Sequence, residues 1–172
     1  GSCFPKDTKA IVATADKFKI NLSLVKSVIK SNQKRSLLLL NKVNELLKGK
    51  IKNKNICFLG VTFKANTDDM RDSSTLVMIP SLAKNGARIN YYDPTGEKNY
   101  FKKIKNVNFS KDIKSAIYNS DLVIIHTEWN DFKSINFKSL IKKKSFIIYD
   151  MRNIYSPSKM KKAKIKYFGI GR

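Results

Sequence analysis

The sequence contains few residues that could build a metal centre or a set of disulfides. Its 172 residues include two cysteines and one histidine. Two cysteines make no disulfide framework in a chain of this size, and one histidine makes no metal site. We therefore expect no bound metal and a reducing, cytoplasmic environment. Cys57, inside an apolar segment, is expected to be a core residue, and His126, at the end of a predicted strand, is also expected to be structural.

The sequence also lacks a long apolar run. A membrane-spanning helix needs about 18 or more apolar residues, whereas the longest obvious run, Leu37 to Leu40, is a single helical turn. The first residues are polar and charged, without the apolar segment of a signal peptide. We therefore expect no membrane partner. The chain has no initiator methionine either, so we expect it to be a fragment or a processed product.

Acidic residues are scarce. There are 13 of them against 35 basic residues, for a formal net charge of +22. This excess invites a nucleic-acid interpretation. However, 30 of the basic residues are lysines spread along the whole chain, whereas nucleic-acid sites usually rely on arginine for base and phosphate contacts. A solvated basic surface is the better interpretation, and nucleic acid is not the expected partner.

The first 48 residues have helical patterns. The segment Phe4-Pro5-Lys6-Asp7 predicts a helix start, with proline at the first helical position and an acid in the first turn. A second helix is predicted from about residue 22 to residue 48, ended by Gly49. Its apolar stripe comprises Leu22, Val25, Ile29, Leu37, Leu40, Val43 and Leu47. Because a long amphipathic helix beside a small domain commonly packs against a partner chain, we expect a homodimer.

After residue 49 short apolar strands alternate with helices. Strands are predicted at 55–60, 87–92, 121–126 and 145–150, and helices at 73–85, 111–119, 137–143 and 156–161. This alternation predicts an α/β fold, a Rossmann-like doubly wound parallel sheet with its ligand at the carboxyl ends of the strands. We divide the chain into a helical segment, 1–48, and a sheet domain, 49–172.

The loop after the first predicted strand has the most distinctive composition, GVTFKANTDDMRDSS at 60–74. Lys64, Arg71 and a helix start at Ser73 suit an anionic phosphate group, and the loop's aspartates can hold the two cations. There is no GxGxxG and so no ordinary dinucleotide fingerprint. From these residues alone, a solvated loop with local ion pairs remains an equal alternative. Similarly, Asp93 at the end of the next strand is either a turn residue or a ribose ligand.

This loop resembles the signature of the UDP-glucose/GDP-mannose dehydrogenase family, G-x-x-F-K-x-[ND]-T-[DG]-D-x-R-x-S. Four further segments resemble family motifs in the same order along the chain. They are SCFPKDT at 2–8, TEWNDF at 127–132, DMRN at 150–153 and GIGR at 169–172. The resemblance is strongest to the UDP-glucose 6-dehydrogenase branch. Met151 departs from it, since a glycine usually precedes the Arg-Asn pair.

The resemblance implies a reaction. Enzymes of this family oxidise the C6 alcohol of a nucleotide sugar to a carboxylate and reduce two NAD molecules. A cysteine adds to the intermediate aldehyde as a thiohemiacetal, the second hydride transfer gives a thioester, and water cleaves it. Cys3 matches the nucleophile and Asp7 the aspartate that assists water. A thiolate at a helix N-terminus near Lys6 is chemically reasonable, because the helix dipole and the ammonium stabilise it.

The same resemblance implies the binding residues. Phe63, Lys64 and Arg152 match positions that contact the nucleotide sugar. On the cofactor side, Arg71 matches the arginine that reaches NAD, and the segment along the nicotinamide comprises Cys3, Phe4, Pro5 and Lys6.

The resemblance covers only the C-terminal part of such an enzyme. Family members begin with an NAD-binding domain that carries the glycine fingerprint, and this sequence has none. We therefore expect the chain alone not to turn over. Two alternatives stay open: a dehydrogenase for another nucleotide sugar (GDP-mannose or a UDP-N-acetyl sugar), and a non-catalytic nucleotide-binding module. The intact CFPKDT argues against the second, because a binding module has no chemical need for the thiol.

Overall fold

Two helices precede the sheet in the computed structural model, which describes residues 3–171 and, for Cys3, the backbone alone. They are α1, Cys3–Lys17, and α2, Ser23–Leu46. Because α1 already begins at Cys3, the expectation that Pro5 opens the helix is wrong. Pro5 is the third helical residue, which is tolerated because the first four N–H groups of a helix have no intrahelical partner. Asp7 is the fifth, just beyond the first turn.

The second helix packs on the sheet domain through its C-terminal half only. Leu39, Val43 and Leu47, which recur every four residues, are buried. Leu37 was expected on the same stripe but is 57% exposed, because it lies about 200° around the helix from Leu39. Large apolar side chains remain exposed on α1, just after it and on the first half of α2: Phe4, Ile11, Phe18, Leu24 and Val28.

A six-stranded parallel sheet forms the rest of the structure, as the alternating pattern predicted. The strands run in the order β3-β2-β1-β4-β5-β6. Their bounds are β1 Asn55–Leu59, β2 Arg88–Tyr92, β3 Val107–Phe109, β4 Leu122–Ile125, β5 Ile147–Asp150 and β6 Lys166–Gly169. The connecting helices are α3 Thr75–Lys84, α4 Ile113–Ile117, α5 Phe137–Leu140 and α6 Pro157–Lys162. Among residues 3–171, no helix is both long and apolar enough to cross a membrane.

The two faces of the sheet form separate cores. In β1, Ile56 and Phe58 point to the face covered by α2 and α3, whereas Cys57 and Leu59 point to the face covered by α4, α5 and α6. Such strands are buried on both faces and are therefore continuously apolar, which explains why β1, β4 and β5 were visible in the sequence. Cys57 is completely buried, as expected.

The two outer strands were missed. Strand β3 has three residues, of which Val107 alone is buried, and β6 buries only Gly169. Edge strands have a neighbour on one side only and need no continuous apolar run, so they left no periodic signal in the sequence. The strand order reverses between β1 and β4, and in this class of sheet the ligand site lies beyond the carboxyl ends of the strands at such a point.

Candidate functional site

Gly60 follows β1 at this reversal and lets the chain after β1 approach the chain after β4 closely. It has φ +75°, and a Cβ built on it would lie 2.4 Å from Cβ of Thr127, just beyond the end of β4. Glycine is required there for both reasons, since other residues are strained at this φ and a methyl group has no room. The loop that follows, 60–74, therefore begins in contact with the end of β4.

A buried carboxylate holds the start of this loop. Asp93, just after β2, accepts hydrogen bonds at Oδ2 from the amides of Val61 (2.8 Å) and Thr62 (3.3 Å). Its Oδ1 accepts from the amide of Thr95 at 3.0 Å and lies 3.9 Å from the ammonium of Lys98. Both side chains of the Asp93–Lys98 pair are almost completely buried. Asp93 is therefore a loop-holding residue, and the ribose-ligand alternative is wrong in this structure.

Hydroxyl groups hold the carbonyl oxygens of the same segment. Ser73 and Thr75, at the start of α3, donate to the carbonyl of Val61 at 2.7 and 2.8 Å. Thr127 donates to the carbonyl of Thr62 at 2.8 Å. The backbone that leads to Phe63 and Lys64 is thus fixed from β2, from β4 and from α3.

Arg152 joins three of the loops at this edge of the sheet. Its Nη2 donates to the carbonyl of Phe63 at 3.0 Å, and its Nε donates to the carbonyl of His126 at 2.7 Å. Oε2 of Glu128 lies 2.9 Å from the same Nε. Glu128 Oε2 is buried and accepts no hydrogen bond from any described residue, so its contact with the guanidinium is an ion pair only. Arg152 keeps about a third of its side chain exposed (34%), enough to meet a ligand.

Asp150 fixes the turn that presents Arg152. Its Oδ1 accepts from the amide of Arg152 at 3.0 Å, and its Oδ2 accepts from the amide of Tyr155 and the hydroxyl of Tyr167. The Met151 backbone has no left-handed φ and its side chain is buried in the core. Met151, at the position where the family motif usually has glycine, is thus accommodated here by packing.

The predicted ligand residues of the first loop lie at the surface of this edge. Phe63 is half-buried and Lys64 is exposed. Arg71 is 74% exposed and is held by Asp69, whose two carboxylate oxygens accept from its Nε (3.0 Å) and Nη2 (2.9 Å). An exposed guanidinium of this kind can contact an anion. The expectation that a loop aspartate holds Arg71 is confirmed.

The residues of α1 are not joined to this edge by any described hydrogen bond or ion pair. The Cys3 side chain, Gly1, Ser2 and Arg172 lie outside the described residues, so the structure does not test the position of the nucleophile thiol. Of the other predicted residues, Phe4 is 70% exposed and Pro5 is half-buried. The side chains of Lys6 and Asp7 are 78% and 66% exposed, and Lys6 Nζ lies 4.0 Å from Asp7 Oδ1. Arg152 thus contacts the carbonyl of Phe63, in the loop that also carries Lys64 and Arg71, and the grouping of all the predicted site residues stays a prediction.

From the sequence, Asp93 and His126 were expected to be a turn residue or ribose ligand and a structural residue, and Ser74 and Asp150 were given no role of their own. Ser74, Asp93, His126 and Asp150 take part in this polar edge of the sheet through side-chain hydrogen bonds. The available signal was position, since each of them lies at a strand end or helix start.

One group of lysines lies at a different edge of the sheet. A cavity of about 350 Å³ opens at the opposite, amino-terminal edge of the sheet and is lined by six lysines: Lys138, Lys142, Lys143, Lys144, Lys164 and Lys166. The described side chains include no cluster of three or more metal-binding groups.

Comparisons with known proteins agree on one family. The family model described as UDP-glucose/GDP-mannose dehydrogenase family, UDP binding domain, matches residues 57–157. The UDP-glucose 6-dehydrogenase of Rhizobium meliloti is 39% identical over 173 residues, which cover 100% of this chain and 40% of that protein. The UDP-glucose 6-dehydrogenase of Rickettsia conorii is 37% identical, covering 99% of this chain and 40% of its own length.

A solved structure agrees with these relatives. The UDP-glucose dehydrogenase of Pyrobaculum islandicum matches with a TM-score of 0.77 and 26% identity over 98% of this chain and 37% of that one. This chain thus spans about two fifths of the length of the relatives it matches.

Proposed function

The chain belongs to the UDP-glucose/GDP-mannose dehydrogenase family, and we propose that it is the UDP-sugar-binding and nucleophile-bearing part of an NAD-dependent UDP-glucose 6-dehydrogenase. The observation that carries this proposal is the convergence of Arg152, the Phe63 carbonyl and the Lys64 loop at the point where the strand order reverses. Relatives at 35–39% identity are UDP-glucose 6-dehydrogenases, which favours UDP-glucose over other nucleotide sugars.

The proposed site binds the substrate through its diphosphate and its uridine. Lys64 and Arg152 offer cations to the diphosphate, and Phe63 offers an aromatic face beside them. Because Arg152 already donates to two backbone carbonyls, its guanidinium is held in place before the ligand arrives, and less side-chain entropy is lost on binding.

In the proposed reaction Cys3 is the nucleophile. Its thiolate adds to the C6 aldehyde left by the first oxidation, the second oxidation converts this adduct to a thioester, and water positioned by Asp7 cleaves the thioester to the carboxylate and the free thiol. NAD supplies the hydride acceptor in each oxidation.

The sheet described here does not itself fit a dinucleotide. No glycine fingerprint follows β1, and both carboxylate oxygens of Asp93 are bonded to the chain's own amides. We therefore propose that NAD is held mainly by a part of the protein outside these 172 residues, and that Arg71 contacts it from this side.

A second part of the proposal concerns the helices. We propose that residues 1–48 form a dimerisation segment attached to the sheet domain 49–172, in a cytoplasmic homodimer. The exposed apolar side chains of α1 and α2 support it. Light scattering should then give twice the chain mass, and Leu24→Lys should lower it to one chain mass; a wild-type monomer would contradict the dimer.

Calorimetric titration of the 172-residue chain with UDP and with GDP, each at two salt concentrations, tests the function. We expect UDP to bind more tightly than GDP. Arg152→Ala should weaken UDP binding by about tenfold or more, because a charge-assisted hydrogen bond contributes about 1.5–3 kcal/mol. The matched control is Arg88→Ala, which removes an exposed arginine from the opposite end of β2 and should change the affinity less than about twofold.

Equal, weak binding of UDP and GDP that falls steeply with salt would contradict the proposal. Such binding would depend on net charge alone, and it is the behaviour expected of a nucleic-acid-binding protein.

The nucleophile has a separate test. Burial raises the pKa of the Cys57 thiol, so iodoacetamide at neutral pH should label Cys3 alone. We expect labelling at a rate above that of a free cysteine, because a helix N-terminus lowers a thiol pKa. Cys57→Ala should leave the rate unchanged. A rate equal to that of a model thiol would remove the physical support for Cys3 as nucleophile.

A further inference from the structure

The single histidine lies at the centre of the polar edge. His126 follows β4 and is only 4% exposed. Both ring nitrogens have a hydroxyl partner: Nε2 lies 2.8 Å from Oγ of Ser74, and Nδ1 lies 3.1 Å from Oγ1 of Thr127. Ser74 precedes α3, and Thr127 contacts the β1 loop, so the imidazole lies between the two ends of the loop 60–74.

The direction of these hydrogen bonds can be deduced. Thr127 donates its only hydroxyl proton to the carbonyl of Thr62, because a carbonyl oxygen cannot donate. Towards His126, Thr127 can therefore only accept, and Nδ1 must carry a hydrogen. In a neutral imidazole Nε2 is then a bare acceptor, and the hydroxyl of Ser74 donates to it.

The ring is held neutral by its surroundings. Burial lowers the pKa of His126 to about 3, and the positive charge of Arg152 contributes in the same direction. Glu128, 2.9 Å from the Arg152 Nε, is the other charged group of this cluster. This lowering favours the uncharged imidazole at neutral pH.

The Ser74 hydroxyl is committed to this bond. Serine is favoured at helix starts because its oxygen caps an amide, yet the side chain of Ser74 makes no capping hydrogen bond. A residue suited to capping thus bonds the histidine instead. At the same time the His126 carbonyl accepts from Arg152 Nε at 2.7 Å.

We propose that His126 is a positioning residue for the nucleotide-sugar site: a neutral imidazole with its proton on Nδ1 that sets the spacing between Arg152 and the segment Arg71–Ser74. The inference rests on the proposed function. In this proposal His126 touches no ligand. Its carbonyl holds Arg152, on the substrate side, and its ring holds the segment Arg71–Ser74, on the cofactor side.

Nitrogen-15 NMR of the imidazole tests the state of the ring, and the chain has one histidine, so its assignment is unambiguous. We expect the shifts of a neutral ring protonated at Nδ1, unchanged between pH 8 and about pH 5. A ring that titrates between pH 6 and 7, or one protonated at Nε2, would overturn the proposal.

UDP affinity tests the positioning role, measured by calorimetry well below the melting temperature of every variant. Ser74→Ala should weaken UDP binding by about fivefold, the loss expected for one hydrogen bond. Ser74→Thr keeps the hydroxyl donor and should restore most of the affinity. Ser81→Ala removes a hydroxyl from α3, the helix that Ser74 precedes, and should have no effect on affinity.

The outcomes separate this inference from the proposed function. If the wild-type chain binds UDP and Ser74→Ala binds it equally well, the positioning role is wrong and the proposed function stands. If the wild-type chain does not bind UDP, the proposed function is contradicted and the positioning role falls with it.

Discussion

The charged and polar side chains at the two edges of this sheet differ in how deeply they are buried. At the carboxyl edge Asp93, Asp150 and His126 are buried, and their polar atoms are bonded to the loops that follow the strands. At the amino edge lysines surround an open cavity, and Asp121 is bonded to Lys143 at 2.7 Å.

The difference separates binding chemistry from net charge. Burying a polar group costs free energy unless its hydrogen-bond partners are in place. A buried polar group with all its partners therefore fixes the positions of its neighbours. Exposed lysines attract anions without a fixed geometry, and this attraction is largely screened beyond about 8 Å at physiological salt. The +22 charge therefore gives no indication of where the ligand binds.

The largest expected effect is at Gly60. Gly60→Ala should lower the free energy of unfolding by roughly 3–5 kcal/mol, because the new methyl group meets Thr127 and the φ of +75° is strained for alanine. Gly96→Ala is the matched control, with φ +86° and nothing within 4 Å of the added Cβ. It should cost only the backbone strain, about 1–2 kcal/mol. Urea denaturation measures both, and equal losses would contradict the close approach of β1 and β4.

Asp93→Asn comes next and compares the two edges directly. Both carboxylate oxygens accept from backbone amides, so either orientation of an asparagine turns its NH₂ towards a donor and leaves Lys98 without its anion. We expect a loss of about 3 kcal/mol, part of it recovered by adding Lys98→Met. Asp121→Asn, at the partly exposed amino edge, should cost about 1 kcal/mol or less. A smaller loss for Asp93→Asn than for Asp121→Asn would reverse the comparison.

The smallest effect is a pH dependence at the amino edge. Burial raises the pKa of Asp121, but hydrogen bonds from Lys143 and the Asn55 amide, with the charges of Lys143 and Lys54, outweigh it and leave the pKa lowered. A lowered carboxyl pKa adds stability above the unfolded-state pKa that is lost as pH falls through the folded value. Below about pH 4 the wild type should lose at most about 1 kcal/mol more than Asp121→Asn. If the free energies of unfolding of the wild type and of Asp121→Asn change with pH in parallel, these ion pairs contribute nothing to stability.

The sequence was informative where strands are buried on both faces and where a motif is contiguous. Strands β1, β4 and β5 are continuous apolar runs, and the loop 60–74 carries its own signature. The edge strands β3 and β6 have no such run. The hydrogen bonds of Asp93 with the amides of Val61 and Thr62, and of His126 with Ser74, could not be predicted, because these partners are 31 to 52 residues distant in the chain and meet only when the parallel strands align.

The stripe on α2 shows a different limit. Periodicity identified an amphipathic helix and placed Val43 and Leu47 correctly on its stripe, but it included Leu37, which is 57% exposed, and left out Leu39, which is buried. In a run of four leucines, Leu37 to Leu40, the sequence gives no reason to choose one residue over its neighbour, and the packing against α3 decides.

The most direct test of the account is a map of backbone amide NMR shifts of this chain on addition of UDP, at low and at physiological salt. We expect shifts concentrated at Phe63, Lys64, His126 and Arg152, retained at physiological salt, with the lysines of the amino-edge cavity unchanged. Shifts concentrated at Lys142, Lys144 and Lys164 that vanish as salt is added would contradict it, because the nucleotide would then be bound by net charge and not by the polar edge.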